Sequence, residues 1–278
     1  MRIGIVAPSC PLDPALVERL TALAAGRAEL VIDPQCFLSD GHFAGNDETR
    51  SGALIAMAND PAIDAIWFAR GGYGACRIAE AAIKSMGGAA RNKRWLGYSD
   101  AGFLLAGLYG RGIGSIAHGP MPSDLARTGG EAAIVRALDW LVDAKASPVD
   151  AEAAEPVALA PPLTGARPRQ VAFNLTVLGS LLGTPLQPVL TDHVLMIEDV
   201  SEHLYAIDRA MFHLTGNPAI RNVAGIRLGR ISDVPENDRP FGAGSEEIVR
   251  YWCSRSGIAF LGRADIGHDS QNKVIAFG

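Results

Sequence analysis

Four short apolar runs in the first hundred residues, each followed by a stretch of helical spacing, constrain the fold of this chain more than any other feature. Residues 2–7 (RIGIVA) form the first run and stop at Pro8. Leu16, Leu20 and Leu23 then repeat at helical spacing within 14–26, with Gly26 as the stop. Glu29 to Ile32 reads as a second strand, and 47–59 as a helix opened by Asn46 or Asp47 and carrying Leu54, Ile55 and Met57. The run 63–69 (IDAIWFA) leads into RGGYG at 70–74, and a helix follows from Ala75 to Lys84. Residues 94–99 (RWLGYS) form the fourth run, with a helix from Asp100 to Gly110. Strands alternating with helices at this spacing predict an α/β fold, a parallel sheet covered by helices on both faces.

The pattern changes over 143–168, where Ala and Pro accumulate and helical periodicity fades. We read residues 1–145 as an N-terminal domain, 146–168 as a linker, and 169–278 as a C-terminal domain. A surface excursion within one domain is the other reading of the same segment. Beyond it the apolar segments are shorter: 171–183, 193–200, 224–229, 257–262 and 273–277, with Leu204 to Leu214 helical. They predict a second, smaller, strand-rich α/β domain with a twisted sheet or partial barrel.

Of the 278 residues, 48% are hydrophobic and 20% charged, as in an ordinary globular protein with a sizeable core. The net charge of −5 carries no basic block, which argues against nucleic acid as a partner. The apolar run Ile3 to Ala7 is too short for an export signal or a membrane span, so a cytoplasmic protein with no membrane partner is expected. Cys10, Cys36, Cys76 and Cys253 show no metal-binding spacing, so reduced, mostly packed thiols and no zinc are expected.

Four segments can carry chemistry. In 94–107 a strand meets Gly97-Tyr98-Ser99-Asp100 and then a helix, a turn that presents a serine hydroxyl beside helix-opening N–H groups. The spacing is G-x-S-x-x-G, not the G-x-S-x-G of α/β-hydrolases, and Ser99 or Asp100 can equally serve as a helix cap. The glycines of RGGYG suit either an anion nest or an ordinary turn. Glu198 and Asp199 close an apolar run, where a carboxylate is costly unless partnered, although both can simply face water. His268 lies in a polar loop and suits proton transfer, as does His118 in HGPMPSD.

Taken together, RGGYG, GYSDAGFL, AHGPM, NLTVLGSLLGTP, LMIEDVSEHLYAIDR and DIGH resemble, in this order, the motifs of the LD-carboxypeptidases, a peptidase family that includes the microcin-C-type immunity peptidases. The resemblance covers essentially the whole chain. It implies a flavodoxin-like N-terminal half, a smaller strand-rich C-terminal half, and a triad of Ser99 as nucleophile, Glu198 as acid and His268 as base. It also implies an oxyanion hole from the N–H groups of Asp100 and a glycine of RGGYG, which we assign to Gly72. Candidate substrate-binding residues are Arg70, whose fork can hold a carboxylate, with Tyr73, His118 and Asn174. The substrate implied is a murein tetrapeptide losing its terminal D-Ala, without a cofactor, and the assembly by analogy a homodimer. Where relatives carry Gly-Gly-Asn-Leu this chain has Ala172 and Phe173 before Asn174 and Leu175, and Phe173 is expected either to narrow the cleft or to change backbone geometry near the substrate. Two alternatives accompany this reading. An immunity-type peptidase acting on aminoacyl nucleotide analogues would use Trp140, Trp252 or Phe173 as a platform, and a relative that only binds murein peptides would lack catalysis.

Overall fold

Short, nearly continuous apolar runs suit strands covered on both faces, as in a parallel sheet, and the first half of the chain builds one. A computed structural model describes residues 1–145 and 169–278, so the expected linker at 146–168 lies outside the described residues. Strands β1 (Arg2–Val6), β2 (Glu29–Ile32), β3 (Ala65–Phe68), β4 (Arg94–Gly97) and β5 (Ser115–His118) alternate with helices α1 (Val17–Ala24), α2 (Asp47–Asn59), α3 (Ala75–Lys84) and α4 (Gly102–Gly110). Helix α5 (Gly130–Asp143) follows. The parallel order β2-β1-β3-β4-β5 is flavodoxin-like, with its reversal between β1 and β3. Loops leaving the carboxyl ends of β1, β3 and β4 therefore share one edge, and they carry Ser9, the RGGYG turn and Ser99.

Local chemistry explains these elements. Asn46 accepts the Thr49 N–H and starts α2 as predicted. Helix α4 is buried on all sides from Gly102 to Leu108, which suits its lack of a polar face. Trp67 and Trp95 are wholly buried, and the Trp67 indole donates to the Pro120 carbonyl at 2.8 Å, which ties the 119–126 segment to the sheet.

The second half contains β6 (Arg169–Asn174), β7 (His193–Val200), β8 (Gly225–Ser232) and β9 (Phe260–Arg263), paired parallel in that order. Helices α6 (Leu175–Leu181), α7 (Leu204–Gly216) and α8 (Ser245–Ser256) lie between successive strands in the chain. Strand β10 (Ile275–Ala276) does not join this sheet: it pairs antiparallel with β5. By compactness, one unit holds the described residues up to 145 with Gly183–Pro188 and Asp269–Ala276. The other holds 169–182, Val189–His268 and Phe277–Gly278. Among the described residues no helix is long and apolar enough to cross a membrane.

Candidate active site

In the first unit, Ser99 follows β4 with φ at +56°, in the left-handed region that a side chain occupies only at a cost of about 1–2 kcal/mol. Such a strained strand-to-helix turn is how a nucleophilic serine is held out from a sheet. A cap role does not account for it, because α4 starts after Ala101 without a side-chain cap. Asp100 caps a different helix. Its buried Oδ2 accepts the Ala75 N–H, the first of α3, at 2.8 Å and the hydroxyl of Ser9 at 2.5 Å. Burial pushes the Asp100 carboxyl above its ordinary value, while the Ser9 and Ala75 donors pull it back.

The glycines of RGGYG each answer a steric demand. A side chain on Gly71 would lie 2.9 Å from both Cβ and Oγ of Ser99. Gly72 has φ at +107°, and a Cβ there would meet Cys10 Sγ at 2.3 Å. Gly74 has φ at +135° against Arg50 and Phe43. The buried Arg50 guanidinium braces this turn by donating to the carbonyls of Gly74 and Pro8. Gly72→Ala is expected to destabilise the protein by about 3 kcal/mol through strain and overpacking. Gly88→Ala, with nothing within 4 Å, should stay within about 0.5 kcal/mol. Urea midpoints of the two variants check this contrast, and equal midpoints would refute it.

Arg70 is exposed, with Nη1 3.2 Å from the Pro11 carbonyl, and Tyr73 is exposed beside His42 and Phe43. His118 is placed differently. It is buried, edge-on to Tyr98, with Nε2 3.2 Å from Asn272 Oδ1.

In the second unit, β7 does not end at its carboxylates but runs through Glu198 and Asp199 to Val200, with both acids buried. Partners from distant segments make this tolerable. Asp199 accepts from the Asn174 amide, the Thr176 N–H and hydroxyl, and its following N–H at Val200. Asn174 in turn caps α6 by accepting the Val177 N–H at 3.0 Å, so its amide works within the fold. Glu198 Oε2 lies 2.6 Å from His268 Nδ1. Glu198 is 0% exposed, and its Oε1 meets no donor among the described residues. Burial therefore pushes its carboxyl up, and the hydrogen bond to His268 opposes that shift.

Two devices place this pair. The β7–β8 register shifts between Ile197 and Asp199, so that Gly229 and Arg230 both lie opposite Glu198. A Cβ on Gly229 would come within 2.9 Å of Glu198 Cβ and 2.7 Å of Ile266. The Arg230 N–H donates to the Ile266 carbonyl and its guanidinium pairs with Asp265, which fixes the loop that ends in His268.

Sequence reasoning singled out Ser99, Glu198, His268 and the glycines of RGGYG, but passed over Ser9 and Gly229. Gly229 closes the AGIRLG run and Ser9 follows the first strand, but only long-range pairing reveals what either touches. The expected cleft role of Phe173 does not hold: it is buried in β6, edge-on to Phe277. Trp140 is buried in the first unit's core, and the Trp252 indole donates to Asp208. Cys36 and Cys253 are packed thiols pushed up to about 12 by burial. Among the described residues no group of three or more His, Cys, Asp or Glu is arranged to hold a metal ion.

Comparison with known proteins gives a consistent result. The family model for the LD-carboxypeptidase N-terminal domain matches residues 3–119, and that for the LD-carboxypeptidase C-terminal domain matches residues 169–278. A Synechocystis sp. protein, described provisionally as a carboxypeptidase, is 33% identical over 249 residues, covering 86% of this chain and 75% of its own. The murein tetrapeptide carboxypeptidase of Pseudomonas aeruginosa is 24% identical over 295 residues, covering 100% of this chain and 91% of its own. The crystal structure of muramoyltetrapeptide carboxypeptidase from Oxalobacter formigenes aligns with a TM-score of 0.79 at 22% identity, over 99% of this chain and 93% of that one, a likeness of fold.

Proposed function

The chain belongs to the LD-carboxypeptidase family, and from that premise we propose that it is a serine peptidase removing the terminal D-amino acid, D-Ala, from murein tetrapeptides. The observation that carries this reading is the Glu198–His268 pair. A fully buried carboxylate at 2.6 Å from Nδ1 has little use except to fix one tautomer of the imidazole and stabilise its protonated form. The strained turn at Ser99 supplies the matching nucleophile.

In the mechanism, Ser99 Oγ attacks the carbonyl carbon of the scissile amide and its proton passes to His268 Nε2. The N–H groups of Asp100 and Gly72 hold the oxyanion that forms, and removing one such donor costs about 100- to 1000-fold in rate. Imidazolium then protonates the leaving amine, the D-amino acid departs, and water releases the acyl group from Ser99 by the reverse sequence. Arg70, exposed at the start of the glycine turn, holds the free carboxylate that defines a carboxypeptidase substrate. The murein substrate is supported by the Pseudomonas relative, a murein tetrapeptide carboxypeptidase that aligns over this whole chain. We set the reaction in the cytoplasm, on imported wall fragments.

The test is release of free D-Ala from a purified murein tetrapeptide and from the same peptide amidated at its C-terminus. Release from the acid and at least a tenfold slower release from the amide is the expected result. Equal rates would remove carboxylate recognition from the reading. Hydrolysis of an aminoacyl-sulfamoyl nucleotide with no attack on the tetrapeptide would replace the murein substrate by a nucleotide conjugate.

A further inference from the structure

Ser9 plays no part in the mechanism above, yet it is wholly buried and its hydroxyl is spent on one acceptor, Asp100 Oδ2. That acceptor belongs to the residue whose N–H is assigned to the oxyanion hole. The same oxygen takes the Ala75 N–H, three residues beyond Gly72, which supplies the other assigned donor. The loop carrying Ser9 is also tied to the glycine turn by its backbone, since the Cys10 N–H donates to the Gly71 carbonyl at 3.3 Å. Three segments remote in sequence thus meet on one carboxylate oxygen: the loop after β1, the start of α3, and the peptide after Ser99.

The need for such a meeting point is physical. Ser99 sits in a left-handed conformation that its own turn does not favour, so the Asp100 peptide keeps its direction only if something outside the turn restrains it. A hydrogen bond from a hydroxyl to a carboxylate is among the stronger ones available, and at a site closed to water nothing competes with it. Displacing an oxyanion donor by even about 1 Å costs on the order of 100-fold in rate.

We propose that Ser9 is a positioning residue for the oxyanion hole, holding the Asp100 carboxylate so that the Asp100 N–H and the glycine turn stay in register. The inference rests on the proposed serine-peptidase reading and adds to it a residue that touches neither substrate nor reacting atoms.

The experiment compares wild type with Ser9→Ala and with Ser9→Cys, which keeps a weaker donor at nearly the same volume. Two quantities are read: kcat and KM for D-Ala release, and the rate at which a fluorophosphonate labels Ser99, located by peptide mass. Labelling passes through the same oxyanion hole but does not depend on the choice of peptide. Active sites are titrated, so partial unfolding does not enter kcat. Ser9→Ala should lower kcat and the labelling rate about 10- to 100-fold while KM moves less than about threefold, with Ser9→Cys between it and wild type. A kcat and labelling rate for Ser9→Ala within twofold of wild type would overturn the proposal, as would a loss confined to KM or to the folded fraction. Wild type that neither labels at Ser99 nor releases D-Ala would overturn the peptidase reading itself, and this inference with it.

Discussion

Ser99→Ala is expected to lower kcat for D-Ala release by about 10⁴- to 10⁶-fold while leaving the protein folded, because removing a serine nucleophile removes the acylation step itself. At about 1.36 kcal/mol per tenfold, that is a loss of roughly 5–8 kcal/mol of transition-state stabilisation. Ser99 as a simple helix cap makes the opposite forecast. Loss of a cap costs about 1 kcal/mol of stability and leaves the rate alone. Backbone strain separates the two further. At a φ of +56°, Ser99→Gly relieves the left-handed penalty that Ser99→Ala retains. Ser99→Gly should thus be as inactive as Ser99→Ala yet more stable by about 0.5–1 kcal/mol, part of the relief being offset by the greater freedom of glycine in the unfolded chain. Steady-state kinetics and urea melts on both variants measure this. Activity in Ser99→Ala within tenfold of wild type would remove Ser99 from its role.

The alternation of strand and helix in the first half is legible because the inner strands β1, β3 and β4 are largely buried, while the edge strand β2 is only partly covered, and because some helices begin at a residue with a local reason to do so. Asn46 before α2 and Gly74 before α3 are such residues. The segment 273–277 reads as part of the second, strand-rich domain, yet β10 within it pairs back onto His118 and Ala117 of β5, a long-range partnership that no local pattern announces. The acids of β7 mislead for a related reason. A carboxylate run reads locally as a strand end, and what keeps Glu198 and Asp199 inside the strand is supplied by Asn174, Thr176 and His268, the last of them 70 residues away. The site follows the same division. Ser99, Glu198 and His268 stand out because their chemistry is unusual where they occur. The residues that hold them (Ser9 and Gly229) are small and common, and their roles lie entirely in what they approach.

Glu198→Gln should uncouple activity from stability in a way that only a buried catalytic carboxylate does. The amide can keep a hydrogen bond to His268, but it cannot hold the tautomer or stabilise the imidazolium as a carboxylate does. The corresponding change in a serine triad lowers kcat by about 10⁴-fold, which is the loss expected here. Stability should move the other way. Burial raises the Glu198 carboxyl above its ordinary value, so its contribution is fully present below the usual glutamate range and is lost as pH rises through the raised value. Glutamine has no charge to bury and escapes that loss. The variant should therefore match or exceed the wild-type Tm at pH 7–8, with its advantage shrinking as the pH is lowered toward about 4.5. Thermal melts from pH 4.5 to 8 beside kinetics at pH 7.5 decide the matter. A Tm several degrees below wild type at every pH would make Glu198 a structural anchor of the His268 loop. An inactive variant that melts no lower than wild type at neutral pH would identify a carboxylate kept, at the expense of stability, for its effect on His268.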